Sequence, residues 1–265
     1  LLNNYIAVFD LETGSTDPDT TEILQIASLA IDPRTLRVVP GSEFESLMKP
    51  LEPDKVQDQA LAVNGHSREV LAEAPHPEEV WVRFAAWSRQ WNLKGRADDN
   101  NSPVPAGHNI INFDLPIYKR YCLKYGTVRR RKDSRLEPAI LNNRRLYDTM
   151  QIYGSWFEGL SEPDKVGLDY LRRYFGMPVP TGPDARRTHD ALRDVRDTAA
   201  ILIRILSFQR GISRKTVWKN SFDPVKLKVE MDRRAEVKAR EIAIADGAQA
   251  PPAYGFEKNA VSLQR

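Results

Sequence analysis

Asp10 and Glu12 stand two residues apart in the run Val8-Phe9-Asp10-Leu11-Glu12-Thr13. On an extended strand such residues face the same way, so the two carboxylates project side by side. Adjacent anions at the end of an apolar strand repel each other, and a hard divalent cation with oxygen ligands relieves that repulsion. The competing account is a strand that runs into solvent with two exposed acids. A further acid, Asp114, follows Phe113 in GHNIINFDLPIY at the start of a predicted helix, where it reads equally as a helix cap. A third group lies in THDALRDVRDTAAIL, with His189 just ahead of a predicted helix and Asp194 beside the apolar Val195. Asp190 and Asp197 lie four and three residues from Asp194 on that helix. A lone histidine at such a place also reads as a surface or capping residue.

The elements that must position these groups follow from pattern. Tyr5 to Leu11 and Glu22 to Ile31 are apolar runs that predict two adjacent strands, joined by the turn-rich TGSTDPDT. A third strand is expected around Phe44 to Met48, and a helix from Asp54 to Val63 that Asn64-Gly65 stops. Glu78 to Trp91 carries Val80, Phe84, Trp87 and Trp91 at helical spacing, which predicts core residues rather than a row of base-stacking rings. Val104 to Asn109 reads as a short strand, Leu115 to Tyr125 as an amphipathic helix, Arg145 to Met150 as another strand and Val166 to Phe175 as a short helix. In Ala191 to Leu206 the apolar residues Leu192, Val195, Ala199, Leu202 and Leu206 mark the buried stripe of a long helix. Strands first, then alternating helices and strands, predict an α/β sheet with helices on its faces.

The 265 residues are 41% hydrophobic and 28% charged, which excludes a wholly disordered, collagen-like or membrane-embedded chain. The single cysteine, Cys122, excludes an internal disulfide and a cysteine-rich zinc site, and predicts a packing role in a reducing compartment. No run of about 18 apolar residues and no secretory pattern is present, so the expectation is a cytoplasmic protein with no membrane partner. The net charge of +3 is uneven. From Leu206 onward 12 Lys and Arg face 7 Asp and Glu, a charge of +5, which leaves −2 on the rest. A second basic run, Arg129 to Lys132 with Arg135, reads either as a solvated face or as a polyanion-binding patch. Pro224 to Ala245 predicts a charged helix, and Gly247 to Arg265 a flexible or partner-bound end.

Taken together, Asp-x-Glu on a first strand, an Asp after an Asn-to-Phe segment, and His-x(4)-Asp on a late helix resemble the DnaQ-like DEDDh 3′→5′ exonucleases. Lesser matches are ALAVNGHS (60–67) with Ala74-Pro75, LYDTM (146–150) and LDYLRRYFGMP (168–178), so the resemblance spans roughly residues 5 to 206. It implies a ribonuclease H-like α/β fold with a five-stranded mixed sheet flanked by helices; since the apolar pattern weakens beyond Leu206, the expected organisation is a domain at 1–208 and a basic extension, partly helical or flexible, at 209–265. The resemblance further implies that Asp10, Glu12, Asp114 and Asp194 bind two divalent ions, Mg²⁺ or Mn²⁺, and that neutral His189 acts as general base. Leu11, Thr13, Gly14, Asn109 and Phe113 would contact the terminal nucleotide, and His66 would wedge against its base. Two departures stand out. Glu12-Thr13-Gly14-Ser15-Thr16 replaces the common Glu-Thr-Thr-Gly, and three residues separate Asn109 from Phe113 where proofreading subunits have two. The longer form resembles the bacterial exonuclease that digests single-stranded DNA.

The expectation is therefore a metal-dependent 3′→5′ exonuclease releasing nucleoside 5′-monophosphates from single-stranded or frayed ends, DNA in preference to RNA, in proofreading or phage replication. The extension would engage nucleic acid, a polymerase or another replication protein, or be simply solvated. The alternatives are a 3′→5′ exoribonuclease and an inactive nucleic-acid-binding module.

Overall fold

The computed structural model describes residues 4–96, 98, 100–159, 165–178, 190–215, 237 and 239. Eight strands occur in it: β1 (Ile6–Thr13), β2 (Ile23–Asp32), β3 (Arg37–Val38), β4 (Phe44–Leu47), β5 (Val104–Gly107), β6 (Val128–Arg130), β7 (Leu136–Pro138) and β8 (Tyr147–Asp148). The α-helices are α1 (Asp58–Asn64), α2 (Arg68–Ala72), α3 (Pro77–Arg89), α4 (Asp114–Lys124), α5 (Thr149–Phe157), α6 (Leu168–Tyr174) and α7 (Ala191–Lys215).

β1 lies inside the sheet, antiparallel to β2 and parallel to β5, which in turn pairs in parallel with β8. Such a strand is covered on both faces, which is why β1 and β2 read as continuous apolar runs rather than alternating ones. The far edge of β2 carries β4 along Gln25–Ser28 and β3 along Ile31–Asp32. The mixed sheet is thus five positions wide, as expected, with the outermost position divided between two short strands to give six in all.

Alternation along β1 sorts the core into two layers. Ala7, Phe9 and Leu11 pack with α3 and α4 on one face, where Trp81, fully buried, stands 5.3–5.9 Å from the rings of Phe84, Tyr118 and Tyr121. Ile6 and Val8 pack on the other face against Val195, Ala199, Leu202 and Leu206 of α7. Asp10 and Glu12 continue the second series, so the register of β1 directs both acids to the α7 side. The helix face Val80, Phe84 and Trp87 is core, and Cys122 is a buried free thiol.

Several expectations are corrected. Asp54 to Val63 is not one helix: Pro53–Lys55 forms a 3₁₀ turn, and α1 starts only at Asp58, ending where Gly65 takes the left-handed conformation. The predicted strand Arg145 to Met150 shrinks to Tyr147–Asp148 because Asp148 caps α5, accepting N–H groups of Met150 and Gln151. The basic run folds into the hairpin β6–β7, where Arg129 and Arg131 reach Glu137 at 2.6 and 3.0 Å, and Arg135 reaches Asp133 at 2.7 Å. Two of its five charges are offset by the hairpin's own acids, Asp133 and Glu137, and both readings of the run stand. The chain divides into compact units Leu1–Leu206 and Ser207–Arg265. The expected helix Pro224 to Ala245, apart from 237 and 239, and the end from Gly247 lie outside the described residues. No helix among the described residues is long and apolar enough to cross a membrane.

Gly107 ends β5 where a Cβ would lie 1.9 Å from Cγ2 of buried Ile110 and 3.0 Å from the Phe9 carbonyl oxygen. Gly107→Ala should therefore destabilise the fold by about 1–3 kcal/mol through overpacking. Gly154→Ala, within α5 and meeting nothing within 4 Å, should stabilise by about 0.5–1 kcal/mol. Urea midpoints of the two variants check both signs.

Candidate active site

At the end of β1 the carboxylates of Asp10 and Glu12 meet that of Asp194, which α7 presents from its first turn. One ligand oxygen from each lies within 4.8 Å of the others. Asp114 arrives from the opposite layer as the first residue of α4, and its Oδ1 accepts the Leu11 N–H at 3.0 Å. The helix cap is Phe113, so Asp114 is spent on the backbone between the two strand acids rather than on capping.

Glu12, Asp114 and Asp194 are all buried, and Asp10 opens only in part, into a cavity of about 700 Å³. Burial pushes Asp10 well above the usual carboxylate range, and the neighbouring charges of Asp114, Glu12 and Asp194 push it further, against an opposing pull from Arg172. Burial likewise raises Asp114 to about 7, with Asp148 adding to the rise and backbone N–H groups opposing it. Clustered anions this reluctant to ionise are answered either by protons or by a cation. An all-oxygen donor set of this kind suits a hard divalent ion. The residues present thus fit the divalent metal that the donor chemistry implies.

The surroundings fix these acids in place. Buried Asp148 accepts the N–H groups of Asn109 and Ile111 at 3.0 and 3.1 Å, clamping the loop that leads to Asp114, in which Asn109 takes φ of 60°. His108 borders the cavity with Asp10 and Asn109, its Nδ1 2.9 Å from Thr149 Oγ1, and burial lowers its pKa toward the neutral form. Arg172 of α6, 2% exposed, contacts three acids with Nη2 2.6 Å from Asp194, Nη1 2.6 Å from Asp169 and Nε 2.6 Å from Asp197. Asp190 caps α7 by accepting the Arg193 N–H. Sequence reading missed Arg172, Asp148 and His108 as site residues. For Arg172 the available signal was its place directly after core Leu171 in a short amphipathic helix.

The expected nucleotide contacts divide. Asn109 lines the cavity with Asp10. His66 lies 3.3 Å from Gln25 Oε1, and Gln25 is the cross-strand partner of Glu12, so His66 is held at the Glu12 side of the site. Thr13 donates to the Ser15 carbonyl, and its own carbonyl accepts from Asn64. Gly14, bonded to Glu22 and Gln57, borders a separate cavity of about 300 Å³. The Leu11 side chain is a core residue 5% exposed, and Phe113, partly buried, packs against the same core. The strand alternation that sends Asp10 and Glu12 to one face sends Leu11 to the other. His189 lies outside the described residues.

The RNase_T exonuclease family model matches residues 7–202. E. coli exonuclease I in complex with a dT13 oligonucleotide superposes with a TM-score of 0.60 at 16% identity, over 80% of this chain and 43% of that one. The zinc-bound form of E. coli exonuclease I with single-stranded DNA gives 0.60 at 17% identity, over 78% and 41%. Exonuclease I from the moderately thermophilic Methylocaldum szegediense gives 0.57 at 20% identity, over 90% and 45%. The chain thus spans less than half the length of these structures. No curated protein sequence matches it.

Raised carboxylate pKa values make metal-free stability depend on pH. An aspartate has a pKa of about 3.9 when unfolded, so from about pH 4 to 7 the folded protein keeps a proton on Asp114 that the unfolded chain releases. Stability in EDTA should therefore fall as pH rises through that window, and Asp10 should extend the fall. Asp114→Asn should flatten the slope. Urea midpoints at pH 5, 6, 7 and 8 measure it, and pH-independent midpoints would show that these acids ionise freely.

Proposed function

The chain belongs to the exonuclease family, and from that premise we propose a metal-dependent 3′→5′ exonuclease that hydrolyses single-stranded or frayed DNA ends to nucleoside 5′-monophosphates. The observation that carries the reading is the convergence of Asp10, Glu12 and Asp194 within 4.8 Å at the head of a cavity, with Asp114 behind them. Exonuclease I structures of the same fold hold single-stranded oligonucleotides, and one of them holds zinc, which supports a single strand as substrate and a divalent ion as cofactor.

Asp10, Glu12, Asp114 and Asp194 would hold two divalent ions, Mg²⁺ or Mn²⁺. Such ions, when bound, supply Lewis acidity at an anionic phosphodiester and a water of lowered pKa. The work of the protein's own residues is positional and electrostatic. Asp148 ties the Asn109 loop to the start of α5 at the end of β5, so the cavity is shaped before substrate enters. Lys165 and Arg173, exposed on the cavity wall, attract the phosphates of an incoming strand. His66, held through Gln25, offers a planar ring to the terminal base. His189 takes the proton from the attacking water, a role suited to an imidazole of ordinary pKa about 6.5. The basic extension, 209–265, would engage nucleic acid or a replication protein.

A 5′-labelled strand tests direction and sugar preference together. The wild type in Mg²⁺ or Mn²⁺ should produce a ladder of progressively shorter labelled DNA, with RNA of the same sequence cut more slowly. Immediate release of a labelled mononucleotide would reverse the direction, and faster RNA cleavage would make the enzyme an exoribonuclease. Asp10→Ala or Asp114→Ala should abolish cleavage while the protein stays folded. His189→Ala should lower the single-turnover rate by about 10² to 10⁴ with metal affinity unchanged by calorimetry.

A further inference from the structure

We propose that Arg172 is a positioning residue that acts as the internal counter-cation of the carboxylate site, holding Asp194 in place before metal arrives and moderating how tightly a divalent cation then binds. The inference rests on the metal site proposed above and goes beyond it.

The guanidinium is always charged and presents its donors in a rigid planar fork. Here the fork is almost completely buried and divided among three acids from two helices: Asp169 of α6, and Asp194 and Asp197 of α7. A buried arginine is tolerated only where anions surround it. Arg193 adds a second cation 3.9 Å from Asp197, so among the described residues two cations face these three acids, and Asp10 and Glu12 add further negative charge from β1. Arg172 therefore anchors Asp194 without neutralising the site, which leaves room for further positive charge. It also shares the cavity wall with Asp10, and its field opposes the burial and repulsion felt there.

The same field acts on an incoming divalent ion with the opposite sign. A positive charge that eases the crowding of anions in the metal-free protein repels a metal ion at those anions. The strength of that repulsion depends on how far Asp169 and Asp197 offset Arg172. Asp169 is 59% exposed and Asp197 22%, so both lie on the side of the guanidinium more open to water than Asp194, which is 8% exposed. This arrangement predicts opposite effects from the two ends of one ion pair. Removing the cation should tighten metal binding, and removing an outer acid should weaken it.

The test is calorimetric titration of full-length protein with Mn²⁺ at pH 8, with no nucleic acid present, alongside thermal melts with and without the ion. Arg172→Gln should bind Mn²⁺ about tenfold more tightly than wild type. It should also melt lower when metal-free and gain more on Mn²⁺ addition. Arg172→Lys, which keeps the charge but not the fork, should retain an affinity close to wild type. Asp169→Asn should bind severalfold more weakly. A residue that merely braced the fold would yield equal or weaker affinity in Arg172→Gln, and that result overturns the proposal. Should Arg172→Gln fail to fold, Asp169→Asn decides, since unchanged or tighter binding by that variant overturns it as well. Absence of any binding by the wild type would sink the metal site and this role together, whereas wild-type binding with no gain in Arg172→Gln sinks this role alone.

Discussion

Carboxylates crowded at the end of a buried strand are the constraint around which the rest of this protein is arranged. Left to themselves, Asp10, Glu12, Asp114 and Asp194 would separate, because their mutual repulsion is strengthened by a low-dielectric surrounding. What opposes separation is apolar burial beneath them. Ile6 and Val8 pin β1 to α7 on one face, and Ala7, Phe9 and Leu11 pin it to α3 and α4 on the other. Each fully buried side chain of that size contributes about 1.5–3 kcal/mol, enough in sum to hold the acids where they would not stay alone.

The strain is distributed over specific partners rather than spread evenly. Asp114 gives one oxygen to the Leu11 N–H, which locks the start of α4 to the middle of the acid pair. Asp148 spends its oxygens on the backbone of the Asn109 loop and of α5. Arg172 gathers Asp194 with two further acids and so couples α6 to α7. These three residues turn electrostatic tension into fixed geometry, and each draws a different loop or helix toward the cavity. Uptake of a proton and uptake of a cation then become alternatives at the same place, which links stability, pH and cofactor in one equilibrium.

Much of this was legible in the residues alone. The i and i+2 spacing of Asp10 and Glu12 on an apolar run determined that both would share one face, since strand alternation is a local property. The three- and four-residue spacing from Leu192 to Leu206 likewise determined the buried stripe of α7 and placed Asp194 beside it. The end of α1 at Asn64-Gly65 followed from the left-handed conformation that glycine adopts at Gly65 without strain. Short elements were less legible. The hairpin β6–β7 and the two-residue strand β8 are too brief to show a period, and α5 lies in a segment that sequence pattern assigned partly to a strand.

Only the tertiary structure decided which charges meet. Glu137 pairs with Arg129 and Arg131 of a run that reads as a solvated face or a polyanion patch in the chain, because the hairpin folds it back across the strand pair. Arg172 stands 22 residues from Asp194, and nothing in the intervening sequence states that α6 and α7 will bring them to 2.6 Å. Leu11 lies between two site acids in sequence yet belongs to the core, since adjacent residues on a strand face opposite layers. Secondary structure depends on neighbours a few residues away and leaves its mark in spacing. Pairing of buried charges depends on long-range packing, and the energy that brings those groups together comes from apolar residues elsewhere in the chain.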